Sequence, residues 1–375
     1  MNLELFSFGT PGDVLRRQIE DKGWTQDDLA FITGKSRRAI NDLICGRVSI
    51  TPEMAVSLAA AFGNQPSDWM GLEAQYRIAR VRTDDGEMRR KAQLMQFAPV
   101  RDMQRRGWIN QIDKLDDLER ELKAFFGVES LAEPPRFPVA TKRQSSLPYL
   151  SPAEWAWCFR ARRLAGAVLH LAVFDSRALD ATEKRLRELA AHPKEARHVE
   201  QVFSEAGIRF VVVEPLPGTK VDGAVFWLDE RSPVIAVSGR VDRIDNIWFT
   251  IMHEFAHVRN NDALSVDSDI LGDDAPVLVE DESERRANDQ AAAALIPRSE
   301  IESFIRRVGP LYSKTRIVQF AHRIKIHPGI IVGQLQHRKE IGYSANREML
   351  VKIRETVVET ALTDGWGRTI TPGIL

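Results

Sequence analysis

The sequence is poor in three features that would each point to a particular environment. It contains only two cysteines, Cys45 and Cys158, which lie far apart and predict neither a disulfide framework nor a thiolate metal site. The formal net charge is −1, so overall charge indicates neither a nucleic-acid nor a membrane partner. The longest apolar run, residues 164–174, is interrupted by His170 and is too short to cross a bilayer. Because residues 1–5 also lack a signal-peptide pattern, we expect a cytoplasmic protein.

The length of 375 residues exceeds what one hydrophobic core ordinarily supports, so two or three domains are expected. Hydrophobic residues make up 43% of the chain and charged residues 28%, as in a globular protein. Shifts in pattern place an N-terminal domain at residues 10–76, a helical connector at 77–145, a second domain at 146–345 and a C-terminal tail at 346–375.

Residues 10–76 have the start and stop signals of a series of short helices. Thr10-Pro11-Gly12-Asp13 and Thr25-Gln26-Asp27-Asp28 are capping-box patterns, and Ser36 is placed to begin a third helix. Gly34 stands between the second and third helices, where a tight turn is needed. Two short helices joined by a turn that contains glycine are the arrangement of a helix-turn-helix.

The third of these helices has a basic surface. Its apolar positions leave Arg37, Arg38 and Asn41 facing outward, and Lys35 and Arg47 flank it. Such side chains contact bases and phosphates from the exposed start of a recognition helix. The module as a whole is not basic, with nine basic and nine acidic residues between positions 11 and 80. A solvated charged face is therefore the alternative interpretation.

The whole module resembles the phage-repressor-type helix-turn-helix of the HigA antitoxins, through the stretch TPGDVLRRQIEDKGWTQDDLAFITGKSRRAINDLICGRVSITPEMAVSLAAAFGNQPSDWMGLEAQY. The resemblance implies a palindromic double-stranded DNA operator, bound by a homodimer or another paired arrangement. It also implies that the side chain at the start of the second helix contacts the DNA backbone. The DNA-binding candidates are therefore Gln26, Lys35, Ser36, Arg37, Arg38, Asn41 and Arg47.

Residues His253-Glu254-Phe255-Ala256-His257 have the spacing of a metal site. Residues four apart lie on the same face of a helix, so the two imidazoles can bind one metal ion. Glu254 is offset by about a third of a turn, from where its carboxylate can act as general base on a metal-bound water. Two solvated histidines on an amphipathic helix are the alternative.

Three apolar runs precede this helix, at residues 208–213, 224–228 and 233–237. The last two are separated by a hairpin-length connection, so a small antiparallel sheet is expected before the metal helix. Earlier in the chain, three closely spaced aromatic residues could form a platform for bases, but core packing is favoured for them. They are Trp155, Trp157 and Phe159.

A zinc site of this kind needs a third protein ligand. The metzincin pattern is absent, because Asn260 and Ala263 stand where that pattern has glycine and histidine. A second source is a loop rich in Asp, Ser and Gly, which could bind metal but is more often solvated. Its aspartates are Asp262, Asp267 and Asp274.

The third source is a predicted helix that follows the loop. Glu284 shares a face with Asn288 and Ala291, and alanines allow another helix to come close. Glu284 is therefore the favoured third ligand. The neighbouring Glu280 and Glu282 are explained by the preference of acidic residues for a helix start.

The second domain resembles the ImmA/IrrE family of zinc metallopeptidases. The resemblance is carried by WFTIMHEFAH at residues 248–257, the stretches at 284–288 and 294–297, and IHPGIIVGQLQH at 326–337. It implies Zn²⁺ as cofactor and Glu284 as the third ligand beside His253 and His257. Gln290 departs from the family, which usually has phenylalanine there.

Taken together, these patterns predict an α+β fold that is mainly α. It would contain a lambda-repressor-like helix-turn-helix bundle, a helical connector, and a zincin-like metallopeptidase domain with a small antiparallel sheet. By resemblance, the protein would be a DNA-binding regulator that cleaves a repressor or antitoxin under stress. The alternatives are an antitoxin that pairs with a cognate toxin and whose metal domain only senses, and a hydrolase of something other than peptides.

Overall fold

A computed structural model describes residues 9–80, 85–135, 137, 150–168, 172–262, 264–268 and 282–364. The chain forms two compact units, Met1–Met88 and Arg89–Leu375, called here the N-terminal and C-terminal units. In the described part of the chain, no helix combines the length and apolarity that a membrane span requires.

The N-terminal unit is helical. Its helices are α1 (Pro11–Asp21), α2 (Gln26–Thr33), α3 (Arg37–Ile44), α4 (Pro52–Phe62) and α5 (Pro66–Arg80). The next helix, α6 (Asp85–Phe97), begins in this unit and ends in the C-terminal unit. The apolar faces of α1 to α5 meet in one cluster that includes Leu15, Leu29, Ile40 and Leu58, all 0% exposed.

The helix starts predicted for this unit are confirmed. Thr10 and Thr25 each cap a helix, and both reciprocal capping boxes, with Asp13 and Asp28, are formed. Ser36 accepts a hydrogen bond from a backbone N–H of α3. Gly34 ends α2 with φ +67°, a left-handed conformation that glycine adopts without steric cost. These local signals set where α2 ends and where α3 begins.

The C-terminal unit combines helices with one sheet. Its further helices are α7 (Val100–Arg105), α8 (Leu115–Phe126), α9 (Pro152–Ala167), α10 (Leu179–Leu189), α11 (Val199–Glu205), α12 (Ile244–Asn260), α13 (Glu282–Leu295), α14 (Arg298–Val308), α15 (Lys314–Ile324), α16 (Pro328–His337) and α17 (Arg354–Val358). Its strands are β1 (Arg209–Val212), β2 (Val221–Trp227), β3 (Pro233–Val237), β4 (Leu264–Ser268) and β5 (Leu362–Thr363).

The sheet has five strands in the order β4-β2-β3-β1-β5. Strand β2 is antiparallel to β3 and β4, whereas β1 is parallel to β3 and β5. The antiparallel β2–β3 hairpin is as predicted, and the sheet also contains the parallel pairs β1–β3 and β1–β5, so that it is mixed. Strand β2 runs opposite to β1, and the hairpin then reverses the chain, so β3 runs in the same direction as β1. Because β3 lies between β1 and β2 in the sheet, the connection from β1 to β2 crosses over the position of β3.

Helices cover both faces of the sheet. Val225, Trp227 and Ile235 on one face share a hydrophobic cluster with α12, and Ala224 and Phe226 on the other face share a second cluster with α8 and α9. Alternation along β2 therefore sends side chains into two hydrophobic clusters, and every residue of β2 and β3 is buried. The mainly helical α+β fold is confirmed.

Core packing is also the role of the three aromatic residues on α9. Trp155, Trp157 and Phe159 are 8%, 0% and 4% exposed, and the Trp157 indole N–H donates to the Val213 carbonyl at 2.9 Å. The predicted domain limits stay predictions. Within them, residues of α7 and α8 belong to the same cluster as α9, and β5 pairs with β1.

Candidate functional site

Helix α12 is buried along almost its whole length. Its residues from Ile244 to Val258 are all buried, with His253 at 1% and His257 at 0% exposure. Two histidines on a solvated face are therefore excluded. Burial of polar side chains costs free energy unless they are paired or bind a metal, so their position needs a specific partner.

The two histidines and Glu284 converge on one point. The Nε2 atoms of His253 and His257 are 3.0 Å apart, and Glu284 Oε2 lies 3.3 Å from the first and 3.5 Å from the second. In a tetrahedral zinc site with bonds of about 2.0 Å, ligand atoms stand about 3.3 Å apart. The three donor atoms therefore have the spacing of three corners of such a site.

Asp262 lies behind His257. Its carboxylate is 2.8 Å from Nδ1 of His257. With the ring hydrogen on Nδ1, that N–H donates a hydrogen bond to Asp262, and Nε2 keeps its lone pair for a metal. The Trp227 indole N–H donates to the Asp262 carbonyl at 2.9 Å and Arg286 lies 3.4 Å from its carboxylate. Asp262 thus orients the His257 ring and is not itself one of the three metal-ligand candidates. The other candidates Asp274 and Glu280 lie outside the described residues.

Glu284 is positioned from two sides. Ala287 and Ala291 of α13 are 0% exposed, and their small side chains let α13 approach α12 closely. The Ser265 hydroxyl on β4 donates to Glu284 Oε1 at 2.8 Å, which leaves Oε2 facing the histidines. Sequence reasoning missed Ser265 because β4 was taken as part of a loop. Gln290 exchanges amide hydrogen bonds with Asn260, at 3.1 and 3.3 Å.

Glu254 is 0% exposed and is not among the three donors. Its carboxylate lies against β2 at Gly223, where an added Cβ would stand 2.0 Å from Oε1. Gly223 therefore provides the space that this side chain occupies. The predicted strand began at residue 224, one position later, so this glycine was missed; a glycine inside a strand is a known signal of close approach.

The two cysteines contribute no donor. Both are free, Cys45 exposed and Cys158 buried. Burial, with the nearby carboxylates of Glu154 and Glu254, raises the pKa of the Cys158 thiol, which therefore stays protonated.

The predicted DNA-binding residues lie along α2 and α3 of the N-terminal unit. Gln26 is the first residue of α2 and is half-buried, as is Asn41 on α3. Ser36 caps α3 and is exposed, as is Lys35 before it. Lys35 and Ser36 lie in the turn between the two helices and Asn41 lies on α3, whereas Gln26 lies at the opposite end of α2 from this turn.

The arginines of this surface are exposed and loosely paired. Side chains of Arg37 and Arg38 are 69% and 92% exposed, with carboxylates at 3.4 and 3.9 Å. Arg47 is 2.9 Å from Asp42. Pairs this exposed contribute little to stability, so the guanidinium groups are available to other anions.

Comparison with known proteins agrees with this arrangement. Residues 204–336 match the peptidase family described as the IrrE N-terminal-like domain, and residues 15–69 match the helix-turn-helix family. The chain therefore joins a helix-turn-helix to a metallopeptidase-like domain, and the resemblances noted in the sequence are confirmed at the level of these two families.

Two curated proteins are similar to part of the chain. The uncharacterized HTH-type transcriptional regulator YddM of Escherichia coli (strain K12) is 24% identical over 71 residues, which are 19% of this chain and 76% of that protein. Virulence-associated protein A' of Dichelobacter nodosus is 29% identical over 72 residues, 19% of this chain and 63% of that protein. Each match therefore covers about a fifth of the chain.

Replacing Gly223 by alanine should force the Glu254 carboxylate away from β2. We expect the free energy of unfolding, measured by urea titration, to fall by about 1–3 kcal/mol, as overpacking usually costs. Gly166→Ala on α9, where an added Cβ meets nothing within 4 Å, is the matched control and should be near neutral. Combining Gly223→Ala with Glu254→Ala should recover part of the loss. If the losses in unfolding free energy of the two single variants simply add in the double variant, Gly223 and Glu254 are not in tight steric contact.

Proposed function

We propose that the protein is a cytoplasmic transcriptional regulator whose C-terminal unit is a zinc-dependent endopeptidase. It would bind an operator through the N-terminal unit and cleave a regulatory protein, a repressor or an antitoxin, in a stress response. The observation that carries this proposal is the convergence of two imidazole nitrogens and one carboxylate oxygen next to a buried carboxylate that is not one of the donors.

The donor set suits zinc. Zn²⁺ prefers tetrahedral sites with nitrogen, sulfur or carboxylate ligands, and hydrolytic sites use three protein ligands and leave one position open. His253, His257 and Glu284 would hold the ion, with donor spacings that fit it. When bound, zinc supplies a Lewis acid that polarises a carbonyl and acidifies water.

The chain's own residues would divide the remaining work. Asp262 keeps the proton of His257 at Nδ1, and Ser265 holds the Glu284 carboxylate in one orientation. Glu254 would accept a proton from the water that attacks the peptide carbonyl carbon. As the C–N bond breaks, the same carboxyl would return that proton to the departing amine nitrogen.

The N-terminal unit would place the peptidase at DNA. The exposed guanidinium groups of Arg37 and Arg38 lie at the start of α3, where a recognition helix contacts base edges in the major groove. Lys35 and Arg47 would contact phosphates on either side. A palindromic operator would require two copies of the unit, so we propose that a homodimer binds.

The alternative is a DNA-binding antitoxin whose metal domain binds or senses without turnover and whose partner is a cognate toxin. The buried Glu254 disfavours it, because a site that only binds metal needs the three donors and has no use for a further carboxylate. Burying an extra carboxylate costs free energy that a binding site would not require.

Glu254→Gln separates hydrolysis from folding and metal binding. Glutamine keeps the shape of the side chain against Gly223, but its amide cannot accept the proton, so cleavage should fall by at least about a hundredfold. Cleavage is measured on products of neighbouring genes co-expressed with the protein, and zinc content by mass spectrometry should be unchanged. Glu355→Gln, an exposed carboxylate on α17, is the control and should cleave normally. Normal cleavage by Glu254→Gln would remove Glu254 as the base.

Alanine at Arg37 or Arg38 should weaken binding to the DNA upstream of the gene. Each loss should be about 1–3 kcal/mol if the side chain reads a base, measured by titration with fluorescent duplex DNA. Arg16→Ala, an exposed arginine on α1, is the control and should bind as the unchanged protein does. A zinc chelator should leave binding intact. Unchanged affinity in the double variant would place the DNA interface elsewhere.

A further inference from the structure

A polar cavity of about 200 Å³ lies at the start of α12 in the C-terminal unit. It is lined by the loop before α12, the first turn of α12 and the end of α16, and its lining contains none of the three metal donors. The volume is below the range of about 300–1,000 Å³ that is common for pockets of drug-sized ligands, so an occupant would be small.

The two carboxylates that line the cavity are already paired. Asp245 is 4% exposed, and its two oxygens accept hydrogen bonds from the Arg243 guanidinium at 3.1 and 2.6 Å. Asp222 is 2% exposed, and its two oxygens accept from the Arg240 guanidinium at 3.1 and 3.2 Å. Because each carboxylate is neutralised by an arginine, the cavity does not select a cation.

The first turn of α12 offers hydrogen-bond donors instead. The N-cap residue Arg243 makes no side-chain cap, and the backbone N–H groups of Asp245 and Asn246 have no acceptor among the described residues. Such N–H groups at the start of a helix carry partial positive charge and attract anions. This end of the cavity therefore favours a ligand that accepts hydrogen bonds and is negatively charged.

The side chain of Asn246 is an independent indication of a ligand. The residue is 6% exposed and lines the cavity, and its amide makes no hydrogen bond within the described part of the chain. Burying an amide without a partner costs free energy, so this position calls for a group that the amide can bind. Its N–H groups can donate to the same anion that the helix start attracts.

Arg243 adds a full positive charge beside these donors. Its Nε and Nη2 atoms donate to Asp245, and Nη2 also donates to the side-chain oxygen of Gln336 at 2.9 Å. Gly333 of α16 lies against Asp245, where an added Cβ would stand 2.3 Å from Oδ2. The guanidinium is therefore held in one orientation, and its Nη1 atom has no hydrogen-bond partner among the residues that the structure describes.

We propose that the start of α12 binds a small oxyanion, a phosphate or a carboxylate group. The Asn246 amide, the backbone N–H groups of Asp245 and Asn246, and Nη1 of Arg243 would hold it. Asn246 is seven residues before His253, or about 10.5 Å along the helix axis, so the site is separate from the metal donors. The anion would supply the missing N-terminal cap of the helix that carries both imidazoles and Glu254.

The test titrates phosphate, sulfate and malonate into the full-length protein, with ionic strength held constant by chloride, and measures binding by isothermal titration calorimetry. We expect saturable binding of one oxyanion per chain and none of chloride. Tighter binding of phosphate would assign a tetrahedral group to the site, and tighter binding of malonate would assign a carboxylate. If none of the three oxyanions binds saturably, the proposal is wrong.

Variants at Asn246 locate the site. Asn246→Ala removes the amide donor and should weaken binding about ten- to a hundredfold, as expected for a hydrogen bond to a charged group. Asn246→Asp keeps the size of the side chain but places a carboxylate against the anion, so binding should disappear. Gln319→Glu, the same chemical change at an exposed position on α15, is the matched control and should bind as the unchanged protein does. Unchanged affinity in both Asn246 variants would overturn the proposal.

Two further comparisons exclude other places for the anion. Protein stripped of metal should bind it as well as zinc-loaded protein does; binding that requires zinc would place the anion at the metal donors and contradict the proposal. The double variant Arg37→Ala, Arg38→Ala should also bind normally, and a loss there would move the site to the N-terminal unit.

A measurement on the unchanged protein covers the case in which neither Asn246 variant folds, as judged by circular dichroism. Selenate is soaked into crystals of the full-length protein, and its position is found from the anomalous scattering of selenium. The signal should lie between Arg243 and Asn246. A signal found only elsewhere would rule out the site.

Discussion

The carboxylate of Glu284 reaches the imidazoles of His253 and His257 because α13 crosses α12 through alanine side chains. Ala287 and Ala291 are completely buried at this crossing, and the Glu284 oxygen is 3.3 and 3.5 Å from the two Nε2 atoms. A larger side chain at either alanine would hold the helices apart and move the carboxylate out of reach. The donor triangle is therefore a property of the contact between two helices.

The opposite side of α12 is constrained just as closely. Glu254 fits against β2 only because Gly223 has no side chain, and α12 buries several further polar groups along its length, among them Asn246 and Thr250. Buried polar groups are costly and are retained where function requires them. The helix is held by the sheet on one side and by α13 and α16 on the other. This setting keeps the three donors and the nearby carboxylate in a fixed arrangement, and within the described residues all three donors come from helices.

Local signals and long-range contacts were not equally predictable. The capping boxes at Thr10 and Thr25 act within four residues, so they could be predicted directly, and so could the spacing of His253 and His257 on one helix face. Glu284 was reached because helix faces follow from a period of 3.6 residues. The roles of Asp262, Ser265 and Gly223 beside His257, Glu284 and Glu254 were not predicted. Each role depends on a contact between parts of the chain that come together only in the folded structure. Parallel pairing of β1 with β3 depends likewise on the path of the whole chain, and β5 has only two residues, too few for an alternation pattern.

The central claim is that His253, His257 and Glu284 form one zinc site to which Glu254 does not contribute. Its most direct test is the zinc content of the purified full-length protein and its variants after loading and dialysis, measured by mass spectrometry of the metal. We predict about one zinc per chain in the unchanged protein and in Glu254→Gln, and loss of zinc in His253→Ala, His257→Ala and Glu284→Ala. Glu282→Ala, which removes an exposed carboxylate one half-turn away on α13, should keep full zinc content. Full zinc content in Glu284→Ala, or loss of zinc in Glu254→Gln with folding intact, would contradict the account.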